Sequence, residues 1–138
     1  MGDFDEALDQ YNLALLEFVR GDGEPVRRLF SERDDVVLCN PIQPFARGPE
    51  EVGQAIEQAA LHFSAGTNEV ERVVVFSTAE LGYVVQIERF AGTIDGKEGS
   101  GALRVTMIFR REGDTWKVSH RHADPITTPR TMASTMQG

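Results

Sequence analysis

The sequence predicts an α+β fold in which helices lead and an antiparallel meander follows. Three observations predict it. Apolar residues recur at helical spacing from Phe4 to Phe18, and again from Val52 to Phe63. From Glu69 onward, four stretches rich in β-branched and aromatic residues succeed one another, split by short polar turns. No helical pattern separates those four, which argues against parallel βαβ winding.

Taken in order, Phe4, Leu8, Tyr11, Leu15 and Phe18 form the stripe of a first helix, which Gly21-Asp22-Gly23 stops. A shorter helix is expected from Glu24-Pro25 to about Glu32, with proline suited to the first turn. Val36–Cys39 reads as a buried strand ended by Asn40-Pro41. Gly48-Pro49-Glu50-Glu51 starts a third helix, its acids at the positive dipole end. Ala65-Gly66-Thr67-Asn68 is expected to end it. Strands then follow at Glu69–Ser77, Gly82–Thr93, Ala102–Arg111 and Trp116–Asp124, with hairpin turns at Asp95-Gly96 and Gly113-Asp114. Residues 1–124 read as a single domain and 125–138 as a polar tail without periodicity.

Composition narrows the function. The chain has 138 residues, 41% hydrophobic and 26% charged, as expected for one globular domain. Its net charge of −8 opposes nucleic acid and anionic lipid as partners. The apolar runs are too short to cross a bilayer. Met1–Glu6 lacks the basic and apolar regions of a signal peptide, so a cytoplasmic location is expected. The lone Cys39 excludes an internal disulfide or a multi-cysteine zinc module.

Three local patterns carry a family resemblance. They are Phe45-Ala46-Arg47-Gly48-Pro49-Glu50-Glu51-Val52 entering the third helix, the hairpin Val105–Val118 with Trp116 after its turn, and His120-Arg121-His122 followed by Ala123. In this order they resemble the SnoaL-like branch of the NTF2-like superfamily; the last pattern is also similar to the association domain of calmodulin-dependent kinase. The resemblance implies three N-terminal helices packed on a strongly curved antiparallel sheet, a cystatin-like cone with an interior pocket. It also implies either cofactor-independent chemistry of the isomerase, cyclase, dehydratase or hydrolase type, or a non-catalytic binding or assembly module.

Strand alternation supplies the candidate residues. Trp116, Val118, His120, His122 and Asp124 share one face of the last strand, so the imidazoles and the carboxylate are expected to point inward. An imidazole near a carboxylate suits general acid–base work, which makes His120, His122 and Asp124 the catalytic candidates. The substrate-binding candidates are Tyr11, Glu88, Arg104 and Trp116. Arg104 falls on the outward face by simple alternation and would reach a carboxylate ligand only if a bulge reversed its strand. Three ligands in a row, roughly 6.6–7 Å apart at Cα, strain a single ion, and a site would need a third ligand from elsewhere such as Glu88, so no metal is expected. Tyr83, Val85, Ile87 and Ile108 fall on the outer face as an apolar patch, for which a homodimer is expected.

Overall fold

Phe4, Leu8, Tyr11, Ala14 and Leu15 are all buried along α1 (Asp3–Phe18), whose first turn carries Asp3, Asp5 and Glu6. In the computed structural model, which describes residues 3–136, two helices come first: α1 and the short α2 (Glu24–Arg28). Two strands follow, β1 (Val37–Asn40) and β2 (Gln43–Arg47), and only then α3 (Pro49–Ala60). The chain continues as β3 (Phe63–Ser77), β4 (Leu81–Ile94), β5 (Lys97–Glu112) and β6 (Thr115–Asp124). The tail adds one 3-10 turn at Met132–Thr135.

Six strands form one sheet in the order β2-β1-β6-β5-β4-β3. The sheet is mixed, which corrects the expected all-antiparallel arrangement: β1 runs parallel to β6, pairing Val37 with His120 and Cys39 with His122. β1 precedes the third helix as the residue pattern placed it, and with β2 added there the three helices do not form the single leading block that the resemblance implied. Strand β2 escaped the sequence reading because only Ala46 within it is buried, leaving no alternation to see. Buried residues of all three helices and of the sheet's inner face, among them Tyr11, Val26, Ile56, Val84, Val105 and Phe109, make one core. No helix among the described residues is long and apolar enough to cross a membrane.

The expected helix stop at Ala65–Asn68 is instead part of β3, and the reason is a close approach. A Cβ on Gly66 would lie 2.2 Å from the Val19 carbonyl oxygen and 2.7 Å from the Val19 Cβ. Across the ladder, a Cβ on Gly92 would lie 2.7 Å from the Gly66 Cα, and Gly92 itself sits at φ +154°. The β3–β4 register shifts here, between Ser64 and Thr67. These glycines therefore let β3 pass under the end of α1. Gly66→Ala is expected to cost about 1–3 kcal/mol, since backbone must move to admit the methyl. Urea denaturation would show this as a lower midpoint at unchanged m.

Candidate functional site

Between the helices and the inner face of the sheet lies a cavity of about 530 Å³. Tyr11, Leu15 and Phe18 of α1 and Ile56 and Ala59 of α3 form one wall, and Leu38, Phe90 and Leu103 of the sheet form the other. Asn40, Pro41, Pro125 and Thr127 also contribute to the lining. Among these mostly apolar groups stand Glu88 and Arg121.

Those two residues form a buried ion pair, their side chains only 6% and 10% exposed. Arg121 Nη2 donates to Glu88 Oε1 at 2.7 Å, and Nη1 donates to Oε2 at 2.9 Å. Gln86 Nε2 also donates to Oε2, at 2.8 Å. Burial works against the Arg121 charge, yet the Glu88 carboxylate more than offsets it and raises the guanidinium above its ordinary range. The guanidinium carbon lies 5.6 Å from the centre of the Tyr11 ring, so it addresses the ring face. The Tyr11 hydroxyl is buried and makes no hydrogen bond of ordinary geometry, although the Arg121 guanidinium is near enough to act on it. Burial, only partly countered by Arg121, pushes its pKa up to about 12. Tyr11 is therefore a neutral phenol at physiological pH, a donor awaiting an acceptor.

The inward placement expected of His120 and His122 is corrected by one residue. Ile108 pairs with His120 but Phe109 pairs with Val118, so Ser119 is left over as a β-bulge. Its hydroxyl donates to the Ile108 carbonyl at 3.2 Å. Before the bulge, Trp116 and Val118 point into the core; beyond it, Arg121 and Ala123 do. His120, His122 and Asp124 consequently lie on the outer face, the two imidazole rings 6.4 Å apart. Partial burial, aided by His122, lowers the His120 pKa. Asp124 accepts from Arg104 Nη2 at 2.8 Å, with His122 Nε2 3.8 Å from the same oxygen. Burial opposes ionisation of Asp124, but Arg104, the Ile126 amide and His122 together outweigh it and hold the carboxyl below its ordinary value.

Of the expected site residues, the structure thus brings Tyr11 and Glu88 to the cavity. Arg104 faces outward with Asp124, as plain alternation implied. Trp116 is buried away from the cavity, beside Phe4 at 5.0 Å and under Arg111 at 4.4 Å. Arg121 is the functional residue that alternation missed. A signal existed: an inward Glu88 needs a cation, and Arg121 stands one residue out of phase on the last strand. Among the described residues no three His, Cys, Asp or Glu side chains are grouped to hold a metal ion.

The family model for the SnoaL-like domain matches residues 5–127. No curated protein matches the chain. Among solved structures, a proposed dehydratase of the NTF2-like family from Streptomyces avermitilis is 24% identical, with a TM-score of 0.76 over 93% of this chain and 100% of that one. A ketosteroid isomerase-like protein from Erwinia carotovora atroseptica is 21% identical, with a TM-score of 0.71 over 90% and 94%. A proposed calcium/calmodulin-dependent protein kinase type II association domain from Thiobacillus denitrificans is 19% identical, with a TM-score of 0.74 over 89% and 94%. At these identities the likeness is one of fold.

Proposed function

The chain belongs to the SnoaL-like domain family, and from that premise we propose that its cavity binds a small, mostly apolar organic molecule carrying one oxygen acceptor. The observation that carries this reading is Tyr11, a neutral phenol lining a mostly apolar cavity beside the Glu88–Arg121 pair, its buried hydroxyl making no hydrogen bond of ordinary geometry. An unpaired buried hydroxyl costs on the order of 1–3 kcal/mol, which a bound carbonyl or ether oxygen would return. The Glu88–Arg121 pair adds polarity without net charge, so a neutral ligand fits better than an ion. A proposed dehydratase and a ketosteroid isomerase-like protein share this fold.

Acid–base turnover is the second reading, with Tyr11 as proton donor to the bound oxygen and Glu88 as the carboxylate. Both Glu88 oxygens are already committed to Arg121 and Gln86. That commitment favours binding and orientation over proton abstraction. His120 and His122 have no part in either reading.

Fluorenone and fluorene, equal in shape but for one carbonyl, test the proposal by titration calorimetry. The wild type is expected to prefer the ketone by about 2–10-fold, the worth of one net hydrogen bond. Tyr11→Phe should erase that preference while leaving the unfolding temperature unchanged or higher. Equal affinity of the wild type for both probes, or no binding of either, would sink the reading.

A further inference from the structure

Asn40 closes β1, half-buried, and with Leu38 of the same strand it lines the cavity. What it offers a ligand is fixed by the turn that follows. Pro41 has no N–H, and the next two amides, of Ile42 and Gln43, both donate to Asn40 Oδ1 at 3.0 Å. Two N–H donors meeting one atom identify it as the carboxamide oxygen and hold the group in one orientation. Its Nδ2 is left without a hydrogen-bond acceptor among the described residues. We infer that Asn40 is a specificity-determining residue, its Nδ2 donating to a second oxygen of the ligand, so that the cavity selects molecules with two separated oxygen acceptors.

Register separates this donor from the first one. Leu38 pairs with Arg121, whose guanidinium faces the Tyr11 ring. Asn40 stands two residues beyond Leu38, roughly 7 Å further along the strand. Acceptors are scarce on this wall. Both Glu88 oxygens are taken by Arg121 and Gln86, and Asn40 Oδ1 is taken by its own turn. The other carboxamide of the lining, Asn68, belongs to β3 at the far edge of the sheet. No hydrogen bond among the described residues holds its side chain, so it favours neither a donor nor an acceptor. A ligand group that only donates finds no fixed acceptor beside Asn40, whereas a carbonyl, ester or ether oxygen meets a held donor. The ligand class is therefore a neutral, largely apolar diketone, keto ester or keto ether. The assignment rests on the ligand reading above and extends it from one oxygen to two.

Acetylfluorenone and isopropylfluorenone, which differ by an oxygen in place of a methyl, test it by titration calorimetry. Their ring isomers supply several spacings between the added group and the ketone. At least one acetyl isomer is expected to bind the wild type about 2–10-fold more tightly than its isopropyl counterpart, the worth of one net hydrogen bond. Asn40→Asp keeps an oxygen for the Ile42 and Gln43 amides and sets a second oxygen where the donor stood. It should lose or reverse that preference, with the unfolding temperature held and the choice of fluorenone over fluorene intact. In the wild type, the Asn40 side-chain amide protons should shift with acetylfluorenone and not with isopropylfluorenone, which decides the matter even if the variant fails to fold. Acetyl isomers that all bind no better than their isopropyl counterparts overturn the inference, as does a preference that survives in Asn40→Asp. Where fluorenone still outbinds fluorene in those cases, the first oxygen site stands and only the second falls. Loss of the fluorenone preference in the wild type removes both.

Discussion

Deletion of Ser119 is expected to abolish cooperative folding. The strand would lose the one residue that has no partner in the β5–β6 ladder. With alternation then unbroken, holding Trp116 and Val118 in the core turns His120 and His122 inward and carries Arg121 out to solvent. Glu88 would remain buried without its cation, a loss of about 3–5 kcal/mol by itself. Keeping Arg121 inward instead exposes Trp116 and Val118, both now buried. Either loss is a large share of the 5–15 kcal/mol that typically holds a domain together. Heating followed by circular dichroism should show a broad, weak transition or none. A Ser119-deleted chain melting sharply at the wild-type temperature would show that the bulge does not set the faces of β6.

Arg121→Met is expected to lower stability by about 3–5 kcal/mol, the cost of stranding the Glu88 carboxylate in the core. For a chain of this size the unfolding temperature should fall by roughly 10–15 °C. The cause is separable from lost packing by a second substitution. Glu88→Gln on the Arg121→Met background removes the stranded charge and keeps an acceptor for the Gln86 amide. The double variant should recover more than half of the loss, since neutral groups often replace a buried pair at little cost. Urea denaturation of both singles and the double gives the coupling energy directly. Additive losses would mean that Arg121 acts through its bulk and that the pair contributes no specific stability.

Much of the architecture was legible because it is written in side-chain period. The α1 stripe, the Gly48-Pro49 helix start and the turns at Asp95-Gly96 and Gly113-Asp114 all stand where the pattern puts them. The same period put Glu88 among the binding candidates and Tyr83, Ile87 and Arg104 on the outer face. What it could not reveal are backbone events. The bulge at Ser119 inserts one residue into β6 and turns over every side chain beyond it, yet serine is an ordinary residue in any strand. Gly66 reads as a helix stop because glycine so often is one; here it serves a close approach to Val19 that is visible only once α1 and β3 meet. Strand β1 pairs with β6 across some eighty residues, a partner that local pattern cannot name. The site was half legible for the same reason: Tyr11 and Glu88 precede the bulge, and Arg121 follows it.

Strand β3 ends the sheet, and its Val73–Phe76 run is exposed throughout. As the last strand of the sheet, it leaves a rim of amide and carbonyl groups unpaired along its outer edge. Such a rim is a template onto which any extended, partly unfolded chain can zip. Glu69, Glu71 and Arg72 flank the run as gatekeepers, and the acidic surface keeps molecules apart only while salt is low. That border is therefore where association of partly unfolded chains is expected to start, and high ionic strength should favour it.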